Sequence, residues 1–144
     1  MHRIFISIIV LMVLLSGSSV FASDYGDIPN CKIVRVHDGD TIIVNIPNEH
    51  PLFGSNISVR IAHIDAPEIH GNCAREMAGA EAARLYMSRR LPISKVVVLH
   101  HVRRDKYFRI LADIDIDGHD LANELINAGL VRAYEGDEKG SWCN

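Results

Sequence analysis

Four acids and two arginines stand at the ends of short β-rich runs, where side chains from different elements can meet. Asp38 and Asp40 flank Gly39 between two β-branched runs, and Asp65 and Glu68 flank Ala66–Pro67 just beyond a third. Singly, each is an ordinary loop acid, since Asp-Gly marks turns and an acid beside proline is solvated. Gathered at one edge of a barrel, their oxygens would repel one another unless a hard cation, Ca²⁺ or Mg²⁺, sat among them. Zinc would require thiolate or imidazole ligands. Arg60 lies within a β-run, five residues before Asp65, where burial is costly unless its fork is paired. Arg109 follows Asp105–Lys106–Tyr107–Phe108. An ion pair with a barrel acid accounts for either arginine alone, and for Arg109 it is the favoured reading. Beside a carboxylate-bound cation, however, two guanidinium forks match the oxygens of a phosphodiester. They can also stabilise the extra charge of a five-coordinate phosphorus transition state.

Those residues need a frame. Runs rich in β-branched residues predict strands over 31–37, 41–46, 57–64, 95–102 and 109–116, with Asp38–Gly39 and Asp117–Gly118 as turns and 47–56 as a loop. A stripe of Ala74, Met77, Ala78, Ala82 and Leu85 predicts a helix over 74–90 that buries this face, with Asn72 as its N-cap. A second helix is expected over 121–128, capped by Asp120 and ended by Gly129. Five short strands, with a helix between the third and fourth and another at the end, do not suggest alternating βαβ units. The expected fold is mainly β with α-helices: a five-stranded, partly open barrel of the OB type with two helices. The exposed face and loops of that fold commonly bind oligonucleotides.

Composition bounds the rest. The 144 residues are 48% apolar and 23% charged, enough for one hydrophobic core and too apolar for disorder. Residues 1–22 combine Arg3, an apolar run broken only by Ser7, and Val20–Phe21–Ala22, which reads as a signal peptide cleaved after Ala22. The run is shorter than the roughly 20 apolar residues of a membrane span, so no stable membrane insertion is expected after cleavage. The mature domain divides into a short extension (23–30), the barrel domain (31–135) and a tail (136–144), and export to periplasm or medium is expected. Cleavage removes one basic residue and no acid, moving the net charge from −3 to −4. That balance speaks against a polyanionic partner unless the charges are sorted within the molecule. Cys31, Cys73 and Cys143 allow one disulfide in an oxidising compartment and leave one thiol, with connectivity open.

Four segments in one order resemble the thermonuclease (staphylococcal nuclease) family: Val36–His37–Asp38–Gly39–Asp40–Thr41, Val59 through Glu68, Asp105 through Arg109, and Asp117–Gly118 with Leu121, Asn123–Glu124–Leu125 and Gly129–Leu130. The resemblance implies that Asp40 and Asp65 ligate one catalytic Ca²⁺ (other divalent cations being possible), with the backbone carbonyl of Ala66. It implies that Glu68 orients or deprotonates the attacking water and that Arg60 and Arg109 hold phosphate. Lys106 and Tyr107 would contact a further phosphate, and Tyr134 would place a ring near a base. The implied reaction is endonucleolytic hydrolysis of the P–O5′ bond in DNA or RNA with low sequence specificity, by a monomer. The resemblance also implies a Cys73–Cys143 bridge, since short exported relatives carry cysteines at both places; pairing of Cys31 with one of them is the alternative. Phe108 departs from the family pattern, standing where glycine is usual.

The rival readings are a non-catalytic OB module binding nucleic acid or protein, and a cation-stabilised envelope protein. A module would tolerate loss of Asp40, Arg60, Glu68 or Arg109, and all four are present. His100 and His101 are expected on opposite faces of a strand, so they would not share a metal. His37 and His63 read as solvated. Arg103, Arg104, Lys106 and Arg109 form a basic run beside the expected site.

Overall fold

Period-two burial builds the barrel. A computed structural model describes residues 23–93 and 95–144, so the expected signal lies outside the described residues. β1 (Ile28–Val36) and β2 (Thr41–Asn45) form an antiparallel hairpin, and β3 (Ile57–Ile61) adds to the far edge of β2. β5 (Val96–Arg104) pairs with β1, and β6 (Ile110–Ile116) with β5. A parallel pairing of β3 with β6 then closes the five strands into a barrel, where the sequence suggested a partly open one. Ala112, Ile114 and Ile116 of β6 point inward, with Asp113 and Asp115 between them. They meet Ile33, Ile42, Val59, Ile61 and Leu99, all almost fully buried. Each large aliphatic side chain so removed from water contributes about 1.5–3 kcal/mol.

Several boundaries differ from the sequence reading. β1 starts at Ile28, and the chain before it already bonds along β5, Tyr25 N–H donating to the Val102 carbonyl at 2.7 Å. Residues 57–64 are not one strand. The chain turns at Ala62–His63, with His63 at φ +61°, and resumes as β4 (Ile64–Asp65), which pairs with β8 (Arg132–Ala133). The expected loop 47–56 contains a short third helix, α1 (Pro51–Gly54), started by proline. A bulge between His100 and Arg103, with His101 at φ +48°, places both histidines on the outer side, ring centroids 6.4 Å apart. They do not face opposite ways. Each binds its own acid, His100 to Asp27 at 2.7 Å and His101 to Asp113 at 2.8 Å.

The main correction concerns α2 (Ala74–Arg90). Ala74, Met77, Ala78, Ala82 and Leu85 are exposed, and the buried face is Glu76, Ala80, Ala83 and Met87. Small residues there let the helix lie close against the β1–β2 turn, where a Cβ on Gly39 would stand 2.9 Å from the Cβ of Ala83. Cys73, rather than Asn72, is the N-cap, with no side-chain cap bond. α3 (Leu121–Asn127) is capped by Asp120 Oδ1, which accepts from Asn123 N–H at 2.7 Å, and Gly129 follows at φ +68°. Leu121 and Leu125 enter the core, and Glu124 accepts a two-pronged ion pair from Arg90 at 2.9 and 3.0 Å. β7 (His119–Asp120) completes the turn through Asp117–Gly118, both at positive φ. Cys73 and Cys143 form the disulfide, and Cys31 stays a buried thiol whose pKa desolvation pushes up to about 11.

Candidate functional site

The β1–β2 turn and β3 place Asp40 against Arg60. In the register, Thr41 faces Arg60, so Asp40 projects at the strand end where the guanidinium arrives. An Arg60 Nη1–Asp40 Oδ2 ion pair forms, Nη2 donates to the Ile64 carbonyl at 2.9 Å, and Thr41 Oγ1 donates to Asp40 Oδ1 at 2.8 Å. Burial works against the Arg60 charge. The attraction of Asp40, with its hydrogen bond and the fields of Asp65 and Asp38, outweighs that and raises the arginine's pKa. Asp38 is raised, first by desolvation and then by repulsion from Asp40.

Arg109 comes from the loop before β6 and not from inside the strand. Asp105 builds that loop, its carboxylate accepting from Tyr107 N–H at 2.8 Å and from Arg109 N–H at 2.9 Å, while Arg109 Nε donates to Asp105 Oδ2 at 2.8 Å. Desolvation works against the Asp105 charge, but these bonds prevail and hold its pKa below the ordinary value. Phe108 occupies φ +65°, a region favouring glycine, yet the turn still delivers Arg109, whose guanidinium lies 5.5 Å from the Tyr107 ring. The Lys106 ammonium lies 5.1 Å from the centre of the same ring.

Asp65 ends β4, buried, and Glu68 follows in the exposed loop. The C-terminal tail covers this side. Trp142 Nε1 donates to Asp65 Oδ2 at 3.1 Å, and Lys139 Nζ stands 2.6 Å from Asp65 Oδ1 and 3.9 Å from Glu68. Asp65 Oδ1 has this ammonium as its close partner, and although desolvation works against the Lys139 charge, the contact with Asp65 raises its pKa. Partial burial raises the Glu68 pKa, as does repulsion from Asp40, and the field of Lys139 opposes them.

One cleft of about 670 Å³ collects Asp38, Asp40, Arg60, Glu68, Arg109 and Lys139, and Arg103, Lys106, Tyr107 and Tyr134 also line it. Arg104 does not join them; its guanidinium donates to the Phe108 carbonyl at 2.7 Å. His63 is not simply solvated, since it contacts Glu135 at 2.9 Å and Asp113 at 3.4 Å on the cleft wall. Asp65 and Ala66 open instead into a neighbouring pocket of about 360 Å³, and Glu68 and Lys139 line both. Arg60, Arg103, Lys106, Arg109 and Lys139 thus gather with the acids in one cleft, which answers the objection raised by net charge.

The donor set fits a hard cation. Asp40 and Asp65 are buried carboxylates, Glu68 follows Asp65 in the next loop, and Asp65 Oδ1 already meets a positive charge. Among the described residues, the only three ligand atoms of His, Cys, Asp or Glu within 4.8 Å of one another belong to Cys73, Glu76 and Cys143. Those sulfurs are bonded to each other and offer no thiolate.

Sequence reasoning missed three residues here. Glu76 accepts from Asn72 N–H at 2.8 Å and so ties down the loop carrying Glu68; a Cβ on Gly71 would come within 2.5 Å of its carboxyl. Its signal was a Glu three residues after the N-cap, where such a side chain reaches back to free N–H groups. Lys139 and Trp142 had no local signal, because both act on Asp65 across more than 70 residues of chain.

The fold is an OB-type barrel with helices, carrying acids at the ends of β1–β2 and β4 and arginines from β3 and the β5–β6 loop. Residues 58–141, more than half of the chain, match the family model described as staphylococcal nuclease homologue, and the chain belongs to that family. It is also 30% identical over 105 residues to an "Uncharacterized endonuclease" of Escherichia coli, covering 72% of this chain and 60% of that protein. A second "Uncharacterized endonuclease", of Haemophilus influenzae (strain ATCC 51907 / DSM 11121 / KW20 / Rd), is 29% identical over 105 residues, covering 73% and 52%. The chain therefore spans little more than half the length of these curated relatives.

Proposed function

We propose that this protein is an exported, Ca²⁺-dependent endonuclease that hydrolyses P–O5′ bonds of DNA and RNA with low sequence specificity. The observation that carries the reading is the single cleft in which Asp40, Glu68, Arg60 and Arg109 meet from four different parts of the chain. Family membership and the names of the curated relatives support a nuclease. Asp40 and Asp65, with the Ala66 carbonyl, would hold the cation, which supplies charge neutralisation among the acids and polarisation of a phosphate oxygen. Arg60 and Arg109 bind the remaining phosphate oxygens and take up negative charge as phosphorus becomes five-coordinate. Glu68 accepts the proton of the attacking water. Opening the P–O5′ bond leaves a 3′-phosphate, and the departing O5′ takes a proton from solvent water to become a 5′-hydroxyl. Lys106 and Tyr107 take a second phosphate, and Tyr134 offers a ring to a base.

Export is supported by the signal pattern of residues 1–22 and by the Cys73–Cys143 disulfide. Among the described residues, no helix is long and apolar enough to cross a membrane. The test is incubation with plasmid DNA and with RNA, in Ca²⁺ and in chelator. Cleavage in Ca²⁺ alone supports the proposal. Intact polymers under every divalent cation leave a binding module instead.

A further inference from the structure

The tail is fastened around Asp65 at several points. The Cys73–Cys143 bridge ties its end to the start of α2, and Arg132 bonds the Ser141 carbonyl at 2.8 Å while lying 3.7 Å from the Trp142 ring. Trp142 then occupies Asp65 Oδ2, and Lys139, held 5.8 Å from the Tyr134 ring, occupies Asp65 Oδ1. Lys139, like Glu68, lines both pockets, of which Asp40 lines the larger and Asp65 the smaller. A cation bridging these acids needs the Asp65 oxygen that the ammonium covers.

We infer that Lys139 is an internal competitor: its ammonium and a divalent cation are alternative occupants of the Asp65 site, and the disulfide-fastened tail keeps the competitor in place. The inference rests on the cation reading proposed above. When the cation binds, Lys139 swings away from Asp65 into the larger cleft, where it becomes a free positive charge facing the substrate phosphates. The tail thereby makes the resting protein electrically self-compensated and couples cation entry to the appearance of a basic rim. No covalent step is involved.

The test is direct Ca²⁺ binding to the oxidised protein by titration calorimetry, with no substrate present. Lys139→Met is expected to bind Ca²⁺ about tenfold tighter than wild type, within the usual range of coupling between competing ligands. Lys139→Arg, which keeps a cation on Asp65, is expected to stay within about twofold of wild type. Acylation of Lys139 by an amine reagent, read by mass spectrometry against Lys106, is expected to rise several-fold on adding Ca²⁺. Equal affinities in wild type and Lys139→Met, with binding lost in Asp65→Asn, overturn the competitor and leave the cation site standing. Tighter binding without a change in Lys139 labelling overturns the displacement. No Ca²⁺ binding by any of these proteins removes the cation site and the inference together.

Discussion

Asp40 and Arg60 form a buried ion pair across neighbouring strands, their side chains only 8% and 12% exposed. Removing one partner of such a pair leaves the other charged and dry, a loss of about 3 kcal/mol or more. Arg60→Ala should therefore lower stability by about that much in chelator, read as a shift in urea midpoint. The double variant Asp40→Asn/Arg60→Ala should recover at least about 1 kcal/mol of it, because no lone charge remains. Additive losses would show that the pair is not coupled.

Arg109 is the cleaner probe of phosphate binding. Its side chain is 39% exposed and its partner Asp105 keeps two backbone N–H bonds when the guanidinium is removed. Arg109→Ala should reduce the cleavage rate about 10²–10³-fold, as loss of one donor to a developing oxyanion does, with the melting temperature almost unmoved. Arg109→Lys should recover little, since an ammonium lacks the two-pronged fork. A rate unchanged in Arg109→Ala would remove it from the site.

Phe108 carries strain without visible compensation in packing. It is 79% exposed at φ +65°, and its one aromatic contact is the Arg104 guanidinium 5.9 Å away. Phe108→Gly should stabilise the protein by about 1 kcal/mol, the cost of a non-glycine residue in the left-handed region. Thermal unfolding of the two proteins in parallel decides it.

The barrel was legible because its strands alternate. Ala112, Ile114 and Ile116 against Asp113 and Asp115 leave one choice of inward face. The α2 face was not legible, for a physical reason. Alanine lies on both sides of that helix, so the apolar stripe is set by Met77 and Leu85, which remain 44% and 42% exposed. Burial goes instead to the side that can approach Gly39 closely, and it includes an acid, Glu76, whose oxygens are used by backbone N–H groups. The same limit applies to the site. Asp40, Arg60 and Arg109 sit near strand ends and can be read locally, whereas the hold of Lys139 and Trp142 on Asp65 exists only after the tail folds back.

The disulfide makes that folding-back persistent. It closes a loop of 70 residues, and cross-linking a loop of that size restricts the unfolded chain by about 4 kcal/mol in the chain-entropy account. Cys73→Ser/Cys143→Ser should unfold at lower urea by an amount approaching that figure. The buried Cys31 thiol should remain unlabelled by alkylating reagents until the protein unfolds, because desolvation disfavours its thiolate. Alkylation of Cys31 in the native double variant would show that the barrel itself opens when the tail is released.

His101 sets a pH slope of predictable sign. His101 Nδ1–H donates to Asp113 Oδ2 at 2.8 Å, and this bond, with the field of Asp113, raises its pKa in the folded protein. The folded state thus holds the His101 proton more tightly than the unfolded chain. The stabilisation is complete below the unfolded value near 6.5 and is lost as pH rises through the higher folded value. Asp27 has the opposite linkage. Its bond to His100 lowers its pKa, so its contribution is present above the ordinary value of 3.8 and fades only as pH falls through the depressed one. Urea midpoints measured from pH 5 to 9 should therefore decline as pH rises above the unfolded value of 6.5, and His101→Gln should flatten that decline. Both pairs are at the surface, so the slope should shrink in high salt. A wild-type slope of the same sign and size in His101→Gln would assign it to another group.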